Sequence, residues 1–82
     1  MEIIKRATYR EIPALLESKA RFTGNSCYAV SFLDEYSVYS YHTLIYREVC
    51  HKDGSKDVYF DRSYYSRTTS RLQNILRKVF NL

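Results

Sequence analysis

The stretch RTTSRLQNILRKVF, residues 67–80, decides the fold class of this chain of 82 residues. Its apolar side chains recur at positions i, i+3, i+4, i+7 and i+8, which is the spacing of one side of an α-helix. The pattern predicts an amphipathic helix of about three turns whose apolar stripe must be buried against another element of the fold. That stripe consists of Leu72, Ile75, Leu76, Val79 and Phe80.

The hydroxyl residues at the start of this stretch predict a capped helix N-terminus. Thr69 and Ser70 are candidate N-caps, and Ser70 has capping-box spacing to Gln73. Capping does not explain Arg67 and Arg71, because cations near a helix N-terminus oppose the macrodipole by ~0.3–1 kcal/mol. Free backbone N–H groups, hydroxyls and two arginines predict a site for phosphate or carboxylate, and a merely solvated basic face is the alternative.

Upstream of this helix, three segments have the β-branched and aromatic content of strands. Residues 27–33 alternate in polarity up to an acidic turn, and YSVYSYHTLIYREV, residues 36–49, is predicted to pair back on them as one long strand. HKDGSKD, residues 51–57, is a turn signal centred on its Asp-Gly pair. VYFD, residues 58–61, then returns as the third strand.

The N-terminal part of the chain predicts a second helix. Apolar residues at three-and-four spacing place it over residues 8–21, but Pro13 is best tolerated in a first turn, so the regular helix should start nearer Glu11. Gly24 is suited to the left-handed position that follows a helix. The opening MEIIK, residues 1–5, is either a short strand or a hydrophobic lead-in.

Together the elements predict an α+β fold in a single domain, residues 1–82. We expect a three-stranded antiparallel sheet, or a four-stranded one if MEIIK forms a strand, with the N-terminal and C-terminal helices packed on one face. In the long strand, the side with Tyr39, Ile45 and Val49 is the more continuously apolar and should face the helices. The open side is a second candidate contact surface or a dimer interface. Its aromatic patch consists of Tyr28, Tyr36, His42 and Tyr46.

The composition is that of a folded domain, with 45% hydrophobic and 27% charged residues. Nine Tyr and four Phe occur without a Trp, and tyrosine in excess of core needs is typical of contact surfaces, with strand propensity as the alternative explanation. Uncharged stretches fall short of the ~18 apolar residues of a spanning helix, and the N-terminus lacks the apolar core of a signal peptide. We therefore expect a soluble, cytoplasmic protein.

Neither a metal site nor an active site is predicted. The soft metal ligands are Cys27, His42, Cys50 and His51. None of their spacings matches a zinc knuckle or finger, so no metal or other cofactor is predicted, and both thiols should be reduced. Cys50 beside His51 is more often a coincidence than a catalytic dyad, and two glycines leave no phosphate-binding loop. We expect a protein without enzymatic activity.

Positive charge is concentrated at the C-terminal end. The formal net charge is +4, and residues 62–82 carry five of the thirteen Lys and Arg and none of the nine Asp and Glu. Such a concentration attracts phosphate backbones or an acidic protein face. The candidate residues for binding a partner or nucleic acid are Tyr64, Tyr65, Arg67, Thr69, Arg71, Asn74, Arg77 and Lys78.

The segments EIPALLESKARFTGNS, YSVYSYHTLIY and YYSRTTSRLQNILRKVF together resemble a group of small proteins of bacteriophages and mobile elements. In that group a helix ending in a GNS turn is followed by a YSY-type strand and a YS-x-TTS helix start, and the match covers residues 12–80. Small phage proteins of this size often act by occupying a host defence protein, including CRISPR effectors. The resemblance therefore implies an anti-CRISPR-type inhibitor.

Two functional hypotheses follow from these observations. In the first, the protein is a small, non-catalytic phage-type inhibitor that contacts a host defence protein or a nucleic-acid-handling enzyme, as a monomer or a homodimer. In the second, it is an accessory protein that binds DNA or RNA directly through its basic C-terminal helix. The modest net charge weighs against the second hypothesis. The positive sign weighs against a mimic of DNA, which would be acidic.

Overall fold

The computed structural model describes residues 4–24 and 26–82, with the backbone alone for residues 4–6, and it has the α+β fold that the sequence predicts. Its elements are β1 (Ile4–Ala7), α1 (Ile12–Glu17), β2 (Phe22–Gly24), β3 (Cys27–Phe32), β4 (Glu35–Ser40), β5 (Thr43–Cys50), β6 (Lys56–Phe60) and α2 (Arg67–Phe80). Within the described residues the strands form one sheet in chain order, in which β1 and β2 are parallel and β2 to β6 are antiparallel.

The sheet has more strands than the three or four that the sequence predicts. The segment predicted as one strand turns back at Tyr41 and His42, so that Ser40 pairs with Thr43 across a new hairpin. Tyr41 has a φ of +57°, a conformation typical of Gly or Asn, and the turn therefore carries no sequence signal. The end of MEIIK contributes to β1, and its residues 1–3 lie outside the described residues.

The side of β4 that faces the helices is the opposite of the predicted side. Tyr36 and Tyr46 are 4% and 1% exposed, whereas Tyr39 lies on the side away from the helices. Each buried phenol has a hydrogen-bond acceptor: Tyr36 donates to the carbonyl of Ala20 at 2.8 Å, and Tyr46 donates to Glu48 at 2.7 Å. A tyrosine whose hydroxyl is hydrogen-bonded can fill a core with its apolar ring. The comparison of apolar residues on the two sides of the strand understates this contribution, and it therefore predicts the wrong side.

A β-bulge at Ile45 explains why two consecutive residues of β5 are both buried. Tyr39 pairs with Leu44 and Val38 pairs with Tyr46, so Ile45 is the extra residue of the pair of strands. A bulge bends the strand and breaks the alternation of sides. Ile45 and Tyr46 are consecutive, yet both are buried, at 0% and 1% exposure.

The helix α2 packs its apolar stripe on this buried side. Leu72 and Leu76 are fully buried, and the ring of Phe80 stacks on that of Tyr46 with centroids 4.6 Å apart and planes 3° from parallel. α1 contributes Leu16 to the same core. The two helices pack against each other, and their burial against the sheet stabilises a chain too small for a second core.

The N-terminus of α2 lies one turn earlier than the capping pattern predicts. Ser66 is the N-cap, in extended conformation, and its Oγ accepts a hydrogen bond from the backbone N–H of Thr69 at 3.2 Å. The candidate cap Ser70 is inside the helix, where its own N–H donates to the carbonyl of Ser66. α2 consequently has 14 residues, about one turn more than predicted.

Gln73 does not complete a capping box with Ser70. Its side chain is 6% exposed, and its Nε2 donates to the carbonyls of Asp61 and Ser63 at 2.7 and 3.0 Å. These two bonds fasten the segment between β6 and α2 to the helix, and so they fix where the helix begins.

The first helix is shorter than the predicted span of residues 8–21. It ends because Lys19 has a φ of +56°, with the N–H of Lys19 bonded to the carbonyl of Leu16 and the N–H of Ala20 bonded to that of Leu15. This is the Schellman arrangement with a lysine in the place usually taken by glycine. The expectation that Gly24 ends the helix is wrong.

Two other signals around α1 have a physical explanation. The prediction that the regular helix starts near Glu11 is confirmed, and Glu11 Oε1 accepts the backbone N–H of Thr8 at 3.0 Å, one half of a capping box. Gly24 lies in β2, where an added Cβ would stand 3.1 Å from Cys27 Sγ. Close packing explains the glycine there.

We predict that Ser66→Ala lowers the free energy of unfolding by about 1 kcal/mol, because the N–H of Thr69 loses its side-chain acceptor. Ser70→Ala is the matched control, and it should change stability by less than about 0.5 kcal/mol, since alanine is favoured inside a helix. Urea unfolding of the three proteins measures both values. Equal losses in the two variants would contradict the observed helix start.

Candidate anion-binding surface

The outermost face of α2 carries a stripe of polar and basic side chains. Arg67, Arg71, Asn74 and Lys78 follow one another at helical spacing and are all exposed. They lie on the side of the helix opposite Leu76, whose side chain is fully buried in the core. The packing of the apolar stripe thus fixes the direction of the basic one.

Part of this stripe borders a groove between α2 and the segment that precedes α1. The groove has a volume of about 380 Å³, and among the described residues that line it three of six are cationic and none is acidic. A concave basic site concentrates anions more strongly than a flat face with the same charges. The lining residues are Tyr9, Arg10, Arg71, Asn74, Ile75 and Lys78.

Arg71 is held over the ring of Tyr9, with its guanidinium carbon 4.3 Å from the ring centroid. Tyr9 is itself fixed by a hydrogen bond of 3.2 Å between its hydroxyl and Ser26 Oγ. A guanidinium held over an aromatic ring by a cation–π contact still has N–H donors that can bind a phosphate or carboxylate. The stack also restricts the side chain before an anion arrives, which reduces the entropy lost on binding.

A second basic cluster lies on the β6 side of α2, apart from the groove. The guanidinium groups of Arg62 and Arg77 lie 5.1 and 5.9 Å from the ring centroid of Phe60. Arg77 therefore belongs to a different surface from Arg71, although the sequence groups the two. The predicted basic surface is divided by the helix into two parts.

Of the remaining predicted contact residues near α2, two tyrosines are accessible and one threonine is not. Tyr64 is 73% exposed, whereas Thr69 is 2% exposed and shares a hydrogen bond of 2.8 Å with Ser40. The candidate role of Thr69 in contacting a partner is therefore wrong. Tyr65 donates its hydroxyl to Asp61, and this bond raises the pKa of Tyr65 and lowers the pKa of Asp61.

The second candidate surface does not form as predicted. Tyr36 and Tyr46 are in the core, on the side of the sheet that faces the helices. Tyr28 lies on the opposite side, where it stacks on Tyr39 at 4.9 Å, and His42 is exposed in the turn between β4 and β5. The expected patch is thus divided between the two sides of the sheet.

A buried carboxylate in the core was not found from the sequence. Glu48 is 4% exposed, accepts the hydroxyl of Tyr46 and forms an ion pair of 2.5 Å with Lys19. Burial raises the pKa of Glu48, but the hydrogen bonds from Lys19 and Tyr46 and the charges of Lys19 and Lys56 outweigh burial and hold that pKa below its usual value. Nothing in the sequence around Glu48 predicts that this glutamate of β5 points into the core.

The groove residues Tyr9 and Arg10 were also missed. They precede α1 without any periodic pattern, and they meet α2 only because the two helices pack together. Contacts of this sequence separation, about 60 residues, leave no local pattern to detect. The spacing along α2 predicts Arg71, Asn74 and Lys78, and no more of the groove than these.

Among residues 4–24 and 26–82, the other groups with possible chemistry are the His, Cys, Asp and Glu side chains. No three His, Cys, Asp or Glu side chains come together as a metal site. Cys27 is a buried free thiol whose pKa is raised by burial, and Cys50 is a free thiol at the surface. No helix in this part of the chain has the length and apolar character needed to cross a membrane.

The fold and the groove define a small α+β protein with one basic, concave surface. Comparison with known protein families, with curated proteins and with solved structures finds no match to this chain. The functional conclusion therefore depends on the geometry and charge of its surfaces.

We predict that Glu48→Gln flattens the acid dependence of stability. Because the pKa of Glu48 lies below its usual value of 4.5 in the folded state, Glu48 stabilises the fold above about pH 4.5 and this contribution is lost as the pH falls through the folded pKa. At neutral pH the variant should lose about 1–3 kcal/mol of unfolding free energy, because buried hydrogen bonds are removed.

The matched control is Glu35→Gln, which removes a half-exposed carboxylate paired with Arg47. Exposed ion pairs contribute about 0–1 kcal/mol, so this variant should keep the acid dependence of the wild type. Urea unfolding between about pH 3 and 7 measures the slopes. A Glu48→Gln protein with the wild-type slope would contradict the role given to this carboxylate.

Proposed function

We propose that this protein is a non-catalytic binding protein that places its basic groove against a negatively charged surface of another protein. In keeping with the resemblance to phage proteins, the partner is a host defence protein or nucleic-acid-handling enzyme such as a CRISPR–Cas effector, and binding inhibits it by occupying that surface. The observation that carries the proposal is the groove itself, whose described lining residues include Arg10, Arg71 and Lys78 and no acidic side chain.

Enzymes that handle nucleic acids have surfaces that a basic groove can bind electrostatically. Such enzymes also need acidic clusters, because carboxylates hold the catalytic metal ions. A groove that holds the guanidinium of Arg71 over the ring of Tyr9 complements clustered carboxylates, because a guanidinium can form bidentate hydrogen bonds with them. The exposed ring of Tyr64, just before α2, adds the type of aromatic contact that is enriched in protein interfaces.

A second function, direct binding of DNA or RNA, is favoured by one specific arrangement. The stacked pair of Arg71 and Tyr9 lies beside Asn74 and Lys78, which combines phosphate-binding cations, an aromatic ring and an amide in one groove. Proteins that bind single strands use this combination, and affinity then falls with salt according to the phosphates contacted. The net charge of +4 limits the expected affinity.

We predict that Arg71→Glu reduces binding to polyanions by at least about tenfold, because it removes a fixed donor and reverses its charge. Retention on immobilised heparin and fluorescence polarisation with DNA and RNA oligonucleotides, at low and physiological salt, measure the effect. The control is Arg77→Glu, which has the same net charge but lies over Phe60 outside the groove. Circular dichroism checks that both variants are folded.

The two proposed functions give different results in this experiment. A protein-directed inhibitor should be retained on heparin through the groove, show little binding to free oligonucleotides, and form a stoichiometric complex with its target protein. A nucleic-acid-binding protein should bind oligonucleotides with a steep salt dependence that Arg71→Glu abolishes. Equal effects of Arg71→Glu and Arg77→Glu would contradict the groove as the binding site for either function.

A further inference from the structure

The side of the sheet turned away from the helices is an aromatic and aliphatic surface, called here the outer face. Cross-strand partners share a side, so the pairing of β3, β4, β5 and β6 defines its rows. Both described helices lie on the other side. Around its centre the outer face carries Tyr28, Val30, Phe32, Tyr39, Leu44, Val49 and Tyr59.

An ion pair on the outer face joins Arg47, in a middle row, to Glu35, in the row next to the β3–β4 turn. Arg47 Nε lies 2.6 Å from Glu35 Oε1, and it also donates to Ser37 at 3.3 Å. Both charged side chains keep about 40% of their surface exposed. An arginine surrounded by aromatic and aliphatic side chains is the composition of the energetic centre of protein interfaces.

We propose that the outer face is the interface of a homodimer in which two copies of this chain pack sheet against sheet about a twofold axis. The occupant is a second copy and not a strongly basic or acidic partner, because the described charged side chains on the β3 to β6 rows of this face sum to −1. Its rows hold Glu35, Asp57 and Arg47, whereas the surplus positive charge of the chain lies on and before α2. Two copies can therefore approach by this face without the repulsion that their basic sides would cause.

The ion pair of Arg47 and Glu35 is self-complementary under a twofold axis. In an isologous interface the same surface patch of both copies is in contact. Arg47 of one copy can therefore bind the carboxylate of Glu35 in the other. A guanidinium has five donors, and within the described part of the chain the contacts of Arg47 to Glu35 and Ser37 both use Nε. The remaining donors are available for a bond across the interface without breaking the existing one.

The outer face is large enough for a stable dimer. Four strands about 4.8 Å apart and on average about 20 Å long give a flat footprint of roughly 400 Å². Side chains that stand out from the sheet, above all Phe32 at 72% exposure, raise the accessible area toward the ~800 Å² per partner of a standard interface. Aligned packing of two sheets about 10 Å apart is a common solution for such faces.

The hairpin tips at the two ends of the outer face show an independent sign of function. Leu33 and Tyr41 have φ values of +55° and +57° and are 86% and 55% exposed. Glycine or asparagine would fit both turns with less strain, so stability does not explain the large apolar side chains. Strained, exposed apolar residues at the ends of the face extend the apolar area available to a second copy.

Sedimentation velocity on the wild type and two variants, at about 5 to 500 µM, tests the proposal. We expect the wild type to reach twice the mass of the 9.8 kDa chain, and Val30→Lys to remain monomeric because the dimer would bury an unpaired ammonium group among apolar side chains of the face. Val30 is already 38% exposed, so the substitution leaves the core intact. The control is Val58→Lys, which changes a 45% exposed valine on the helix-facing row of β6 and should dimerise like the wild type.

Leu33→Asn gives a second test, in which a weaker dimer cannot be explained by loss of folding stability. It should raise the thermal midpoint of the monomer, since asparagine accepts the positive φ, while it weakens the dimer by about tenfold or less. A wild type that stays at the monomer mass at the highest concentration would overturn the proposal. So would a dimer that Val58→Lys disrupts and Val30→Lys does not, because that result would place the contact at the edge of β6.

Discussion

The stack of Phe80 on Tyr46 is the interaction on which the rest of the structure depends. The ring of Phe80 packs the last turn of α2 on the middle of the sheet, and the hydroxyl of Tyr46 donates a hydrogen bond to Glu48. Glu48 binds Lys19, and the Nζ of Lys19 lies 5.2 Å from the ring centroid of Phe80, so that the chain of contacts returns to Phe80. Four side chains thus join α2, the sheet and the end of α1. A buried carboxylate without its cation would be costly, so the position of Lys19 is strongly specified.

This cluster determines where the functional surfaces lie. Since the apolar stripe of α2 is held against the sheet, Arg71 and Lys78 must point away from it, toward the segment before α1. The same packing leaves the opposite side of the sheet uncovered by the described helices. The protein therefore presents two unlike surfaces, a basic groove and a nearly neutral aromatic face, on opposite sides of one small core. A dimer formed through the aromatic face would display two basic grooves outward, which allows a bivalent contact.

The sequence predicts those parts of the fold that have a local cause. The apolar spacing predicts α2, and the Asp-Gly pair predicts the turn at Gly54, which has a φ of +91°. The turn at Tyr41 and the bulge at Ile45 have no residue signal, because tertiary packing imposes both. In the site, helical spacing predicts the cations of α2. Tyr9, its stacking partner, comes from a distant part of the chain and follows only from the packing of α1 on α2.

The most direct test of the basic groove is a chemical-shift titration of the ¹⁵N-labelled protein with a short sulfated heparin fragment. We expect fast-exchange shifts concentrated at Tyr9, Arg10, Arg71, Asn74 and Lys78, and the shift of the Arg71 Nε resonance should be among the largest. Salt should reduce these shifts together, because a single electrostatic site produces them. Shifts spread evenly over α2 and the Phe60 cluster, or centred on the outer face, would contradict the groove as the site where this protein meets its partner.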